Sequence, residues 1–148
     1  MQPASAVQQE MMMASLDTSL LVDVLRRRSR FRQRALAKLD ELQARGEILV
    51  TTRFTVAELY VGIELSDHAE RDQTHVDALL ADLEILEFRG YSPRLFAQIR
   101  AEHRRQGRLA GDMDTLIAAT SLAGGHALLV TRNPADFSGI PDLAVESY

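Results

Sequence analysis

The features that this sequence lacks narrow the classes of protein to which it can belong. It contains no cysteine, which excludes disulfides, thiol catalysis and zinc sites built on cysteine. No apolar run approaches the roughly 20 residues that a membrane-spanning helix needs, and the N-terminus shows no export signal. We therefore expect a cytoplasmic protein with no membrane partner.

Lysine is also nearly absent. Lys38 is the only lysine among the 17 basic residues, so arginine carries the remaining positive charge. Six arginines fall between Arg26 and Arg34, and four fall between Arg100 and Arg108. Arginine suits phosphate because its planar guanidinium can bind two oxygens at once. The net charge of −4 argues weakly against a nucleic-acid partner, so composition alone leaves the partner open.

The chain of 148 residues is 46% hydrophobic and 26% charged, which is typical of one soluble domain. Residues 1–12 show no apolar periodicity and are predicted to be a disordered tail before a domain at 13–148. Short apolar runs then alternate with helical periodicity, which predicts an α/β fold with a mainly parallel sheet. The predicted strands are 13–16, 48–51, 85–88, 127–131 and 143–145. The predicted helices begin near Thr18, Phe31, Thr55, Ala69, Pro93 and Asp112.

The last of these helices carries two carboxylates at its start, Asp112 and Asp114, and is apolar along most of its length. Gly124 follows it, as is typical of a helix C-terminus. A structural interpretation makes Asp112 the N-cap and lets Asp114 favour the helix dipole. Taken alone, this helix favours that interpretation, and the positions of other acids decide whether it is a site.

Three further acids occupy comparable positions. Asp17 follows the first predicted strand, Asp136 follows the fourth, and Glu58 lies in the helix after the second, where it could complete a capping box with Thr55. Carboxyl ends of parallel strands meet at one edge of a sheet, and the helix of Asp114 should begin at that edge. Two carboxylates about 4 Å apart repel each other by on the order of 1 to 4 kcal/mol. A hard divalent cation such as Mg²⁺ or Mn²⁺ would relieve that repulsion.

Four stretches of the sequence resemble, in order, the motifs of PIN-domain nucleases, and most closely those of VapC-type toxins of bacterial toxin–antitoxin pairs. The stretches are Leu16–Ser19, Thr55–Gly62, Asp114–Thr120 and Leu129–Phe137. The resemblance implies a PIN-like three-layer α/β/α fold and Mg²⁺- or Mn²⁺-dependent cleavage of RNA by metal-activated water. It also implies homodimers and inhibition by a cognate antitoxin protein.

The same resemblance assigns the site. The catalytic and metal-binding acids would be Asp17, Glu58, Asp114 and Asp136. The supporting residues would be Thr18, Thr131 and Asn133, and the last two match positions that support the fourth acid. Asp112 is an additional acid in a supporting position at the periphery of the site.

Two surfaces are predicted for partners. Arg100, Arg104 and Arg108 are spaced to form one stripe for RNA phosphates, provided that their helix continues to Arg108. An exposed apolar groove near Leu59, Tyr60 and Ile63 would accept a helix of the antitoxin.

Two alternative functions remain open from the sequence. One is a non-catalytic PIN-type domain that binds RNA or acts as a scaffold. The other is a phosphatase of the haloacid-dehalogenase type, whose nucleophile motif is matched by Asp112-x-Asp114-x-Thr115. That motif needs an apolar strand directly before it and a lysine downstream, and this sequence offers neither.

Overall fold

The computed structural model describes residues 12–125 and 128–148. The predicted tail, except for Met12, therefore lies outside the described residues. The first residue of the predicted strand 127–131 also lies outside them. The strands are β1 (Met13–Leu16), β2 (Ile48–Thr52), β3 (Glu84–Leu86), β4 (Leu128–Val130) and β5 (Ala144–Glu146). The helices are α1 (Thr18–Leu25), α2 (Arg32–Ala44), α3 (Arg53–Glu64), α4 (Ala69–Ala81), α5 (Ser92–Arg105) and α6 (Asp112–Ala123), with a 3₁₀ helix at Pro134–Phe137.

The five strands form one parallel sheet in the order β3-β2-β1-β4-β5. The chain builds outward from β1 through β2 to β3, then crosses over to β4 and β5 on the other side. Strand order thus reverses between β1 and β4, and in open α/β sheets a crevice forms at the carboxyl ends of the strands at such a point. The prediction of a mainly parallel sheet is confirmed.

Alternation of side chains along the strands produces two cores, one on each face of the sheet. Ala14 and Leu16 of β1, with Leu128 and Val130 of β4, pack against residues of α1, α2, α3 and α4. Leu129 points to the other face and joins a core built with α5, α6 and the 3₁₀ helix. Helices cover both faces, so the predicted three-layer α/β/α arrangement is confirmed.

Helix α6 packs closely on the sheet because small side chains line it. Ala118 and Ala119 are fully buried, and the hydroxyl of Ser121 lies 2.8 Å from the hydroxyl of Ser15 on β1. This packing fixes the start of α6, and with it Asp114, relative to the carboxyl end of β1. None of the helices in the two described ranges is both long and apolar enough to cross a bilayer.

Two predicted helix caps are wrong. The helix of Glu58 begins at Arg53, and the side chain of Thr52 caps it by accepting a hydrogen bond from the Thr55 backbone N–H at 3.2 Å. Because β2 runs into α3 without a loop, the helix starts one turn before the predicted capping box. Helix α6 is capped by the backbone of Gly111 with no side-chain bond, so Asp112 is its first residue and not its N-cap.

Candidate active site

Asp17 leaves the carboxyl end of β1 at the middle of the sheet and is only 6% exposed. Its Oδ2 accepts a hydrogen bond from the Thr131 hydroxyl at 2.7 Å and another from the Ser19 hydroxyl at 3.3 Å. Burial raises the pKa of Asp17 above its usual value, and the hydrogen bonds from Thr131, Thr18 and Ser19 oppose that rise. The carboxyl group is therefore fixed by neutral donors beyond the ends of β1 and β4.

Glu58 approaches the same edge from α3. Its Oε1 accepts a hydrogen bond from the Thr18 hydroxyl at 2.6 Å, so the first residue of α1 orients the carboxylate of α3. Thr18, predicted as a supporting residue, thus contacts Glu58. The capping role considered for Glu58 does not occur, because α3 begins before Thr55.

Asp114 lies in the first turn of α6 and is partly buried. Its pKa is raised to about 6, first by burial and then by the negative charges of Asp17, Asp136 and Glu58. The structure therefore brings all four predicted acids into one electrostatic neighbourhood. Every one of these causes disfavours the charged form of Asp114, so this is a position where a cation would be strongly favoured.

Asp136 lies on the 3₁₀ helix at the exposed rim of this neighbourhood. Thr131, which is predicted to support this fourth acid, contacts a different acid, Asp17, with its side chain. The hydroxyl of Thr131 donates to Asp17, and it accepts the backbone N–H of Asn133 at 3.0 Å. Asn133 bonds Asp136 only through the backbone, its carbonyl oxygen accepting the Asp136 N–H at 3.1 Å. These contacts arise because Thr131 follows β4 directly and so lies beside the end of β1.

Asp112 and the three arginines predicted to bind RNA do not form one group in the structure. Asp112 is exposed and forms an ion pair with Arg100, with 2.6 Å between the Arg100 Nη1 and the Asp112 Oδ1. The prediction of a continuous arginine stripe is wrong, because α5 ends at Arg105 and Arg108 lies beyond it. Arg108 instead donates to the carbonyl and hydroxyl oxygens of Ser138. Arg104 is exposed on the last turn of α5.

The predicted apolar groove is also wrong. Leu59 and Ile63 are 5% and 7% exposed and belong to the core on the α1–α4 side of the sheet. Tyr60 alone of the three is largely exposed. Helical spacing places Leu59 and Ile63 on one face, and that face is turned toward the core.

Sequence reasoning missed three side chains around the site. Ser19 contacts Asp17, and its hydroxyl also accepts the backbone N–H of Arg132 at 3.1 Å. Arg132 in turn donates to the buried carboxylate of Asp23 at 3.3 Å. Ser19 had a local signal, because it lies two residues after Asp17 in the first turn of a helix. The pairing of Arg132 with Asp23 had none, because the two residues lie far apart in the chain.

The four acids have the carboxylate oxygens that suit a hard divalent cation, but their side chains are not arranged as a complete set of metal ligands. Within residues 12–125 and 128–148, no three Asp, Glu or His side chains already stand together as ligands for a metal ion. Carboxylate oxygens are nevertheless the donors that Mg²⁺ and Mn²⁺ prefer, and a raised pKa from mutual repulsion is what a bound cation would reverse. The residues fit such an ion by their chemistry and their mutual charge.

Known proteins are similar to this chain in sequence and in fold. A family profile described as PIN domain matches residues 14–143. The chain belongs to the PIN-domain family. Ribonuclease VapC2 of Haemophilus influenzae is 34% identical over 138 residues, which are 90% of this chain and 96% of the relative. The tRNA(fMet)-specific endonuclease VapC of Shigella flexneri is 31% identical over 94 residues, which are 64% of this chain and 70% of that relative.

Solved structures agree with these relatives. VapBC2 of Rickettsia felis, bound to a DNA fragment from its promoter, superposes with a TM-score of 0.82 at 28% identity, covering 93% of this chain and 99% of that one. The resemblance to VapC-type PIN domains seen in the sequence motifs is therefore confirmed over nearly the whole chain. The phosphatase alternative is wrong, because in this PIN domain Asp112 and Asp114 begin a helix and no strand precedes them in 106–111.

Proposed function

We propose that this PIN-domain protein is a Mg²⁺- or Mn²⁺-dependent endoribonuclease and the toxin of a toxin–antitoxin pair. The observation that carries the proposal is the pKa of about 6 at Asp114, raised by burial and by three other carboxylates around it. Catalytic sites concentrate such perturbed groups. Relatives named as ribonucleases at up to 34% identity supply the reaction class.

Asp17, Glu58, Asp114 and Asp136 would hold the ion. When bound, Mg²⁺ or Mn²⁺ would supply a hydroxide nucleophile near neutral pH and offset negative charge on the phosphate under attack. The chain's own residues set the positions of the acids: Thr131 and Ser19 fix Asp17, and Thr18 fixes Glu58. The buried end of β1 limits the water around Asp17, which strengthens electrostatic interactions there.

The proposal is tested with wild-type protein and the variants Asp114→Asn and Asp17→Asn on a mixed RNA pool. Wild-type protein should cleave RNA with Mn²⁺ or Mg²⁺ and stop when EDTA is added, and both variants should lose cleavage. A second readout is thermal melting, because Mn²⁺ should raise the Tm of the wild type and leave that of Asp114→Asn unchanged. Full activity of Asp114→Asn, or cleavage that EDTA does not affect, would contradict the proposed site.

A non-catalytic PIN domain is the second candidate function. One observation favours it: no ligand set of three acids is preassembled in the described part of the chain. The two candidates differ in a calorimetric titration with Mn²⁺, because a domain that only binds RNA has no need of the ion. Saturable Mn²⁺ binding that Asp114→Asn abolishes favours the nuclease.

We propose two protein partners. A structural neighbour is a VapBC complex, which supports a cognate antitoxin for this chain. Co-expression with the small reading frame next to the gene should yield a stable complex that lacks RNA cleavage. The homodimer is proposed on family resemblance, and light scattering of the purified protein tests it. A monodisperse, monomeric and non-toxic product would contradict both partners.

A further inference from the structure

The six arginines between Arg26 and Arg34 have no part in the site described so far. Five of them, all except Arg32, are exposed. Within residues 12–125 and 128–148, none of these five forms an ion pair with a carboxylate. Arg45 and Arg53, by contrast, each bind a glutamate with two hydrogen bonds. Guanidinium groups without a carboxylate partner keep their donors available for phosphate.

Two arginines of 26–34, together with Arg132, place their guanidinium groups over the ring of Phe31. The guanidinium carbons of Arg30 and Arg34 lie 4.9 and 5.8 Å from the centre of its ring, and that of Arg132 lies 4.3 Å away. Attraction between each cation and the ring offsets part of the repulsion among the three positive charges. We refer to the six arginines of 26–34 together with Arg132 as the arginine cluster.

Arg132 connects the arginine cluster to the carboxylates. It follows Thr131, which donates to Asp17, and its own backbone N–H donates to the Ser19 hydroxyl. Its guanidinium is fixed on the other side by Asp23, which is 3% exposed. Asp23 also accepts a hydrogen bond from the Ser29 hydroxyl at 2.9 Å, so the same buried acid anchors the segment that carries the arginines.

We propose that the arginine cluster binds phosphates of the RNA strand that flanks the bond cut at the carboxylate site. The inference rests on the proposed function. Four carboxylates repel an RNA backbone, and a bound metal ion would offset that repulsion only at the phosphate under attack, so positive charge from the chain itself is needed to hold the flanking strand. In a chain with a net charge of −4, the cluster concentrates positive charge, and its member Arg132 directly follows Thr131, which donates to Asp17. Guanidinium planes can also stack against unpaired bases.

The cluster takes over the role predicted for Arg100, Arg104 and Arg108. Arg100 is held by Asp112, and Arg108 is held by Ser138, so two of those three guanidinium groups are already engaged. Within the described ranges, the five exposed arginines of 26–34 form no such ion pair or hydrogen bond, whereas Arg32 donates from its Nε to the Val24 carbonyl oxygen at 3.0 Å.

Binding of a labelled single-stranded RNA of mixed sequence to the full chain tests the proposal. It is measured by fluorescence anisotropy over a salt series in EDTA, which prevents metal-dependent cleavage. The double variant Arg30→Gln/Arg34→Gln should weaken binding at low salt on the order of tenfold. It should also reduce the slope of log K against log salt by about 1.4, since each single-strand phosphate contact contributes about 0.7. The matched control is Arg71→Gln/Arg94→Gln, which removes the same charge from α4 and α5 and should leave the slope unchanged.

Three outcomes overturn the proposal. The cluster and control variants could weaken binding equally, which would reduce the effect to net charge. The wild type could show no salt-dependent binding of RNA. The cluster variant could keep the wild-type slope and lose only its complex with the co-expressed antitoxin, which would make the cluster a protein-binding surface. Melting temperatures of both double variants should match the wild type, because all four side chains are exposed.

The two proposals fail separately. If RNA cleavage requires Mn²⁺ and Asp114 but the salt slope of Arg30→Gln/Arg34→Gln is unchanged, the proposed role of the arginine cluster is refuted and the nuclease proposal stands. If the double variant shows a reduced salt slope but the wild type cuts no RNA with any divalent ion, the nuclease proposal is refuted and phosphate binding by the arginine cluster stands.

Discussion

At the scale of single residues, burial and the neighbouring carboxylates disfavour the ionised form of Asp114. Its pKa of about 6 lies above the ordinary 3.8, so the folded protein holds this proton more tightly than the unfolded chain does. Stability should therefore fall as the pH rises from about 4 through about 6. Asp114→Asn removes this dependence. Without divalent ions its Tm should be close to that of the wild type at pH 4 and should exceed it by a few degrees at pH 7. That difference corresponds to about 1 kcal/mol once solvent screening of a half-exposed group is allowed for.

A neighbouring acid provides the matched control for this pH series. Asp112→Asn changes an exposed acid of the same helical turn, but it breaks the ion pair with Arg100. It should lower the Tm slightly at pH 7. Melting curves recorded in EDTA between pH 4 and pH 7.5 distinguish the two variants. If Asp114 acted only on the helix dipole, its replacement would cost about 0.3 to 1 kcal/mol at pH 7, which is the opposite sign.

The hydroxyl of Thr131 forms hydrogen bonds with Asp17 and Asn133 and lies 3.3 Å from the hydroxyl of Ser19. It donates to Asp17 and accepts the N–H of Asn133, and it is fully buried. Thr131→Val keeps the shape and removes both bonds, so it should lower the free energy of unfolding by about 1 to 3 kcal/mol. It should also raise the pKa of Asp17 further and reduce RNA cleavage. Thr131→Ser retains the hydroxyl and should keep most of the activity. Urea denaturation and cleavage assays measure the two effects, and equal behaviour of Val and Ser would contradict them.

At the scale of elements, the junction between β2 and α3 depends on one cap. Thr52 is the last residue of β2 and the N-cap of α3, and its hydroxyl accepts the Thr55 N–H. Thr52→Val preserves the packing of β2 and removes the cap, so it should cost about 1 kcal/mol in urea denaturation. Thr52→Ser should restore the capping bond.

Glu58→Gln should change stability by less than about 0.5 kcal/mol, because Gln can still accept from Thr18 and no capping box is broken. A large loss in Glu58→Gln would mean that Glu58 also stabilises the start of α3.

The elements also show how far sequence reasoning reaches. Strand positions could be predicted to within a residue or two, because apolar runs such as Leu128–Val130 are bounded by turn residues. The acids of the candidate site could be predicted because each follows a strand or begins a helix, and parallel topology collects those positions. The other helix starts were predicted to within a residue, but the start of α3 could not be: Thr52 and Thr55 offer the same hydroxyl, and only the absence of a loop after β2 decides between them.

Long-range side-chain pairs were equally beyond the sequence. Nothing local indicates that Thr131 bonds Asp17 or that Arg132 reaches Asp23 and Phe31, since those contacts depend on β1 and β4 being neighbours. The spacing of Arg100, Arg104 and Arg108 predicted a stripe only if the helix continued. It ends at Arg105, and Gly107 follows in a left-handed conformation with φ of 67°. A left-handed residue breaks the helical path and turns Arg108 toward Ser138.

At the scale of the whole molecule, one ion-pair network ties the last strand to the first half of the chain. Glu146 of β5 receives two hydrogen bonds from Arg45, at 3.0 and 2.7 Å, and pairs with Lys38 of α2 at 3.1 Å. These hydrogen bonds and charges, foremost those of Arg45, lower the pKa of Glu146 to about 2. The contribution of Glu146 to stability should be complete above about pH 4.5 and should disappear as the pH falls toward 2.

Glu146→Gln should therefore lower the free energy of unfolding at pH 7 by about 0.5 to 1 kcal/mol, a magnitude typical of a partly exposed pair. The difference from the wild type should shrink in 1 M salt and vanish near pH 2, because screening weakens the pair and protonation removes the charge in both proteins. Glu87→Gln is the matched control, since Arg53 and Glu87 form a bidentate pair with the same chemistry on an exposed surface. That pair connects only α3 with the segment after β3, so its loss should have the smaller effect. A loss in Glu146→Gln that persists unchanged at pH 2 would show that packing, and not charge, holds β5 to the rest of the fold.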